Sequence, residues 1–178
     1  CVTAGVWPYL WRVGVITLDA PHDLRDGVSN GSPVWRLIQA GLSGNRIVQI
    51  GISDFANSRE YATRARDEGI HVIYRDVLRN RPIADVMAEA LEIAGADGGE
   101  IYVDLDLDVC DRSVVPACPA SAPGGISADE LRQAAFLAGA YSRVLAIVIS
   151  EIDAQLDQLN QRTIWLGALL VLAAACGF

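Results

Sequence analysis

The 178-residue chain predicts an α/β fold: a three-layer αβα arrangement with a mainly parallel sheet. Three observations carry this. Apolar, β-rich runs alternate with helical patterns along the length of the chain. The strand runs are continuously apolar rather than alternating, as in strands buried on both faces. Acids cluster just after several of these runs, and ligands of open α/β sheets bind beyond the carboxyl ends of strands.

The elements follow in order. Val13–Leu18, "VGVITL", reads as the first strand, and residues 33–40 as a helix start opened by proline. "RIVQIGI" at 46–52 is the second strand, followed by a helix over 58–68. Residues 70–74 form a third strand and Ile83–Ala94 a helix. "EIYVDLDL" at 100–107 is the fourth strand. A long loop, 108–126, holds three prolines and two glycines, the kind of connection that carries function. Ser127 opens the next helix, with Glu130 three places on as a capping box. "VLAIVIS", Val144–Ser150, is the fifth strand, and a helix over 161–175 closes the chain. With no repeat, linker or internal boundary, residues 1–178 read as one domain.

Composition narrows the function classes. The formal net charge is −8, which argues against a nucleic-acid partner, because phosphates need a basic face. All 14 basic residues are arginine. Four scattered cysteines without a CxxC pair read as reduced thiols of a cytoplasmic protein rather than a disulfide framework or structural zinc site. No signal peptide is visible. The apolar run 163–178 is shorter than the ~20 residues that a bilayer requires and reads as a buried helix, so no membrane partner is expected. A chain opening on Cys1 reads as processed, trimmed or a fragment.

The chemistry lies in two acidic stretches. "DAPHD" places Asp19, His22 and Asp23 after the first strand; "DLDLDVCD" places Asp104, Asp106, Asp108 and Asp111 around the end of the fourth. Alternate strand residues face one side, so Asp104, Asp106 and Asp108 are expected to share a face. Like charges there repel, and a divalent cation compensates them compactly. Oxygen-rich sites with some imidazole suit manganese, and paired ions can generate a water nucleophile for hydrolysis.

Together, these stretches resemble the motifs of the ureohydrolases, the arginase, agmatinase and formimidoylglutamase family. "DAPHD" is similar to the family pattern D-A-H-x-D, and "DLDLDVCD" to S-x-D-x-D-x-x-D with Asp104 in place of serine. "PACPASAPGG" at 116–125 resembles the family's proline-rich loop, and "SEID" around Glu151 its E-V-x-P segment. The resemblance runs from Val13 to the C-terminus and implies an arginase-like fold missing its N-terminal elements. It implies two manganese ions per subunit, bridged by Asp19 and Asp106 and further ligated by Asp23 and Asp108, with Asp111 orienting ligands. Glu151 would face the cationic end of an amidine or guanidine substrate, and Asp108 would assist proton transfer during hydrolysis of a C–N bond. "DLR" at 23–25, "SNGSP" at 29–33 and "GISDFANS" at 51–58 look closer to the formimidoylglutamase branch. That implies N-formimidoyl-L-glutamate as substrate, with Arg25, Asn30 and Gly31 at its binding site and Arg25 pairing with a carboxylate. The family also implies a homo-oligomer, a trimer or hexamer.

The sequence departs from the family at two points. The pattern's histidine falls on Pro21, which has no donor atom, so His22 is the ligand candidate in this stretch only if the backbone redirects it. The family's upstream metal-binding histidine has no counterpart in the 18 residues before Asp19, and the only other histidine, His71, opens the third strand. Absent first strands should leave a sheet edge and apolar surface uncovered, with Trp7, Tyr9 and Trp11 covering part of it. Two further readings therefore stand beside the hydrolase: a degenerate homologue acting as a binding or assembly subunit, and an acidic α/β binding protein for magnesium or calcium.

Overall fold

The structure, a computed structural model, describes residues 10–157 and 160–177. Cys1, Trp7, Tyr9 and Phe178 lie outside the described residues, so the covering role expected of Trp7 and Tyr9 falls there too. Among the described residues five strands form one sheet: β1 (Val13–Leu18), β2 (Ile47–Ile52), β3 (His71–Tyr74), β4 (Glu100–Asp106) and β5 (Val144–Ser150). Their order is β3-β2-β1-β4-β5, and every neighbouring pair is parallel. All six residues of β1 and of β2 are buried, as their unbroken apolar runs require.

The helices are α1 (Pro33–Gln39), α2 (Arg59–Asp67), α3 (Arg75–Leu78), α4 (Ile83–Ala94), α5 (Ala128–Ala140) and α6 (Arg162–Gly177). Val13, Val15 and Ile47 face one core, where they meet Val34 and Leu37 of α1 and Ala65 of α2. Ile16, Leu18, Val48, Ile50 and Leu105 face the other, against Met87 of α4, Leu131 of α5 and Leu170 of α6. Neighbouring residues of β1 thus serve opposite cores, which is the three-layer arrangement. Helix starts agree with their sequence signals. Ser58 Oγ accepts from Tyr61 N at 3.3 Å, and Ser127 and Glu130 form the complete capping box.

Three local expectations change. The one-turn helix α3 follows β3 directly; four residues carry no readable periodicity. β4 stops at Asp106, whose carboxylate accepts from Asp108 N at 2.9 Å and starts a short 3-10 turn, Leu107–Val109. Asp108 therefore leaves the strand, and only Asp104 and Asp106 share a strand face. Finally, α6 is half-buried. Thr163, Leu166, Gly167, Leu170, Ala173 and Ala174 face the protein, while Trp165 and Leu172 are 68% and 63% exposed. No helix among the described residues is long and apolar enough to cross a membrane. Among the described residues β3 and β5 are the edge strands of the sheet, and Leu145 of β5 is exposed.

Candidate metal centre and cleft

Strand register assembles the site. Leu18 pairs with Leu105 in the β1–β4 ladder, so the next residues, Asp19 and Asp106, emerge side by side. Asp108 arrives through the 3-10 turn and is fastened there, its Oδ1 accepting from Ala20 N at 2.9 Å. One carboxylate oxygen from each of Asp19, Asp106 and Asp108 lies within 4.8 Å of the others. Asp19 and Asp108 are buried, and Asp19 Oδ1 has no hydrogen-bond partner among the described residues. On β5, the Ser150 hydroxyl lies 3.0 Å from Asp104 Oδ1 and 3.3 Å from Asp106 Oδ2.

Burial and mutual repulsion both oppose ionisation here. Burial first, then Asp108 and Asp106, hold the Asp19 carboxyl well above its ordinary range. Asp106 is pushed up to about 9 by burial and then by Asp108. Asp23 rises to about 7, through burial and then Asp108 and Asp104, with Arg25 pulling the other way. Asp104 is raised by burial, against the Ser150 hydrogen bond. An orphaned buried oxygen amid carboxylates that resist ionisation is what an oxygen-ligated divalent cation would satisfy. The carboxylates present fit such an ion.

A cleft of about 260 Å³ opens beside this group. Asp23, Asp106, Asp108 and Glu151 line it, together with Arg25, Asn30 and Gly31. The structure therefore brings the sequence-expected substrate residues and three of the expected ligands to one cavity. Asp23 and Glu151 both take left-handed backbone conformations, with φ of 53° and 61°. Such conformations cost energy in non-glycine residues and concentrate at functional sites.

His22 stands apart. Its Nδ1 lies 2.7 Å from Gln49 Oε1, while Gln49 Nε2 donates to the His22 carbonyl at 2.8 Å. The second bond orients the amide, so Nδ1 carries the proton and Nε2 keeps its lone pair. Nε2 is buried without a partner among the described residues, and the ring meets Tyr74 edge-on at 6.4 Å. Burial lowers its pKa, opposed by the Gln49 hydrogen bond. The residue lining the cleft is Pro21, the position that the motif assigns to histidine. His71 pairs with Glu89 at 2.9 Å. Asp111 is half-buried and closes the proline-rich loop, accepting from Ser113 N at 2.8 Å and Gly124 N at 2.6 Å. Bonds from Ser113, then Gly124, lower its carboxyl to about 2.

Sequence reasoning missed the residues that hold these loops. Asn57 Oδ1 accepts from His22 N at 2.9 Å, and its Nδ2 donates to Ala20 O at 3.0 Å. Gln49 clasps His22, and Arg64 anchors the segment around Arg25. Gln49 left a signal, as the one polar residue in "IVQIGI".

An all-parallel sheet with carboxylates gathered beyond its central strands defines an α/β protein with a candidate metal centre. The family model described as "Arginase: Arginase family" matches residues 2–177, and the chain belongs to that family. It is 39% identical over 150 residues to a formimidoylglutamase of Halalkalibacterium halodurans, covering 82% of this chain and 47% of the relative. The crystal structure of the Bacillus subtilis formimidoylglutamase superposes with a TM-score of 0.87 at 33% identity, covering 92% of this chain and 52% of that one. The fold is shared too with a Trypanosoma cruzi formiminoglutamase carrying Mn2+, with a TM-score of 0.86 at 24% identity over 94% of this chain and 57% of that one. The chain spans about half the length of the curated relatives it matches.

Proposed function

We propose that the chain carries the site of a manganese-dependent hydrolase that cleaves N-formimidoyl-L-glutamate to L-glutamate and formamide. The observation that carries this reading is the cleft, where one arginine, Arg25, shares a cavity with Asp23, Asp106, Asp108 and Glu151. A substrate with a cationic amidine at one end and carboxylates at the other matches that charge pattern. Formimidoylglutamases are also among the relatives that cover most of this chain.

Asp19, Asp23, Asp106 and Asp108 would hold the ions. Bound there, divalent ions supply Lewis acidity and a water nucleophile at neutral pH. Glu151 accepts N–H bonds from the amidine and sets the C=N carbon over the acids. Arg25 takes a substrate carboxylate in a bidentate pair, with Asn30 and Gly31 beside it. Asp108 relays a proton to the departing amine, which leaves as the amino group of glutamate. A small-molecule substrate and a homo-oligomer, without nucleic acid or membrane, belong to the same reading.

The test incubates the manganese-loaded chain with N-formimidoyl-L-glutamate, L-arginine or agmatine and follows products by NMR. Formamide from the first substrate alone is the expected result; no formamide, or urea from the others, overturns it. A second reading has its own observation: among the described residues no imidazole joins the three-carboxylate group. A degenerate homologue would hold at most one ion per chain and turn over nothing.

A further inference from the structure

Arg64, on α2, lies outside the cleft lining yet makes an unusual number of contacts to the loop that enters it. Its Nη1 donates to the Leu24 carbonyl at 2.7 Å and to Asp26 Oδ1 at 2.9 Å, and its Nη2 to Asp26 Oδ2 at 3.1 Å. The guanidinium stacks 4.5 Å from the Trp35 ring centroid and 5.8 Å from that of Tyr61. Trp35 in turn donates its backbone N–H to the Asp23 carbonyl at 3.1 Å. Arg25 sits between the two residues that Arg64 grips. Its own N–H donates to Gly31 O at 2.9 Å. A Cβ on Gly31 would come within 2.8 Å of Arg25 Cδ and Nε, so the glycine makes room for the arginine side chain. Among the described residues no acid forms an ion pair with Arg25, although Asp26 is its immediate neighbour.

We propose that Arg64 is a positioning residue of the cleft: by engaging both oxygens of Asp26 it keeps Arg25 free for a substrate carboxylate. Without it, the carboxylate of Asp26, the next residue in the chain, is released to pair with the Arg25 guanidinium, and a bidentate intramolecular pair competes directly with ligand. The inference rests on the carboxylate-binding role proposed for Arg25.

The test measures L-glutamate affinity calorimetrically on the manganese-loaded chain. Arg64→Ala should weaken binding about tenfold, the scale of one charge-assisted contact, with manganese stoichiometry unchanged. Arg64→Lys, which keeps the charge and covers a failure of the alanine variant to fold, should lose less, about threefold. Asp26→Ala added to Arg64→Ala should recover most of the loss, a rescue that general loosening of the loop would not produce. In an Arg25→Ala background, Arg64→Ala should cost nothing further. Unchanged affinity in both Arg64 variants, absence of rescue, or additivity with Arg25→Ala overturns the proposal and leaves the role of Arg25 intact. Failure of the parent chain to bind L-glutamate at millimolar concentration overturns both.

Discussion

Asp106 shows what the site demands of a single residue. It ends a buried strand, caps the turn that delivers Asp108, and carries a carboxyl raised to about 9 by burial and by Asp108. Asp106→Asn should therefore weaken manganese binding at least tenfold by calorimetry, while stabilising the metal-free chain at pH 8 by about 1 kcal/mol or more. Pro21 and His22 make a complementary pair. Pro21 lines the cleft and His22 is clasped by Gln49. Pro21→His should tighten manganese about tenfold, by adding an imidazole beside the acids. His22→Ala should leave manganese affinity within about twofold, yet cost about 1–3 kcal/mol in urea unfolding, because Gln49 loses its ring partner in the core. The residue types at 19–23 were legible as a metal motif. Which of them faces the cleft was not, since that depends on Gln49 and Asn57 from distant segments.

Element boundaries came close to their sequence signals where those signals are local. Ile83–Ala94 and Val144–Ser150 match, and the Ser127 capping box forms as read. What escaped was decided by contacts. α6 reads as wholly apolar, yet packing buries one stripe of it and exposes Trp165 and Leu172. The buried stripe approaches α5 so closely that a Cβ on Gly139 would strike the Ala174 carbonyl. Gly139→Leu should force these helices apart and lower stability by about 1–3 kcal/mol or more in urea unfolding, with little change in m. The loop 108–126 depends in the same way on Asp111, which ties Ser113 to Gly124.

Across the whole molecule, the carboxylate cluster sets a pH dependence. Asp23 and Asp106 have folded-state pKa values of about 7 and about 9, above the ordinary 3.8. Raised carboxyl pKa values mean that the folded state binds more protons than the unfolded state in this range. Their contribution is present below about pH 4 and is lost as pH rises through 7 and then 9. The metal-free chain should melt progressively lower between pH 5 and pH 9. Manganese should raise Tm, and raise it more at pH 8 than at pH 6, because it competes with protons for the same oxygens. A flat metal-free profile by scanning calorimetry would contradict the buried cluster.

The sequence alone determined the layers, because continuous apolar strands and periodic helices bury themselves in few ways. It also pointed to the chemical type of the site, because Asp19, Asp104, Asp106 and Asp108 beside strand ends repel one another as anions, a charge that protons or a cation must balance. Only the tertiary structure decided which atoms meet. The Leu18–Leu105 register set Asp19 beside Asp106, the turn after β4 took Asp108 off the strand, and Gln49 held the His22 ring outside the three-carboxylate group. Register, turn and hydrogen-bond partner are long-range choices, made by residues far apart in the chain, and local pattern carries little trace of them.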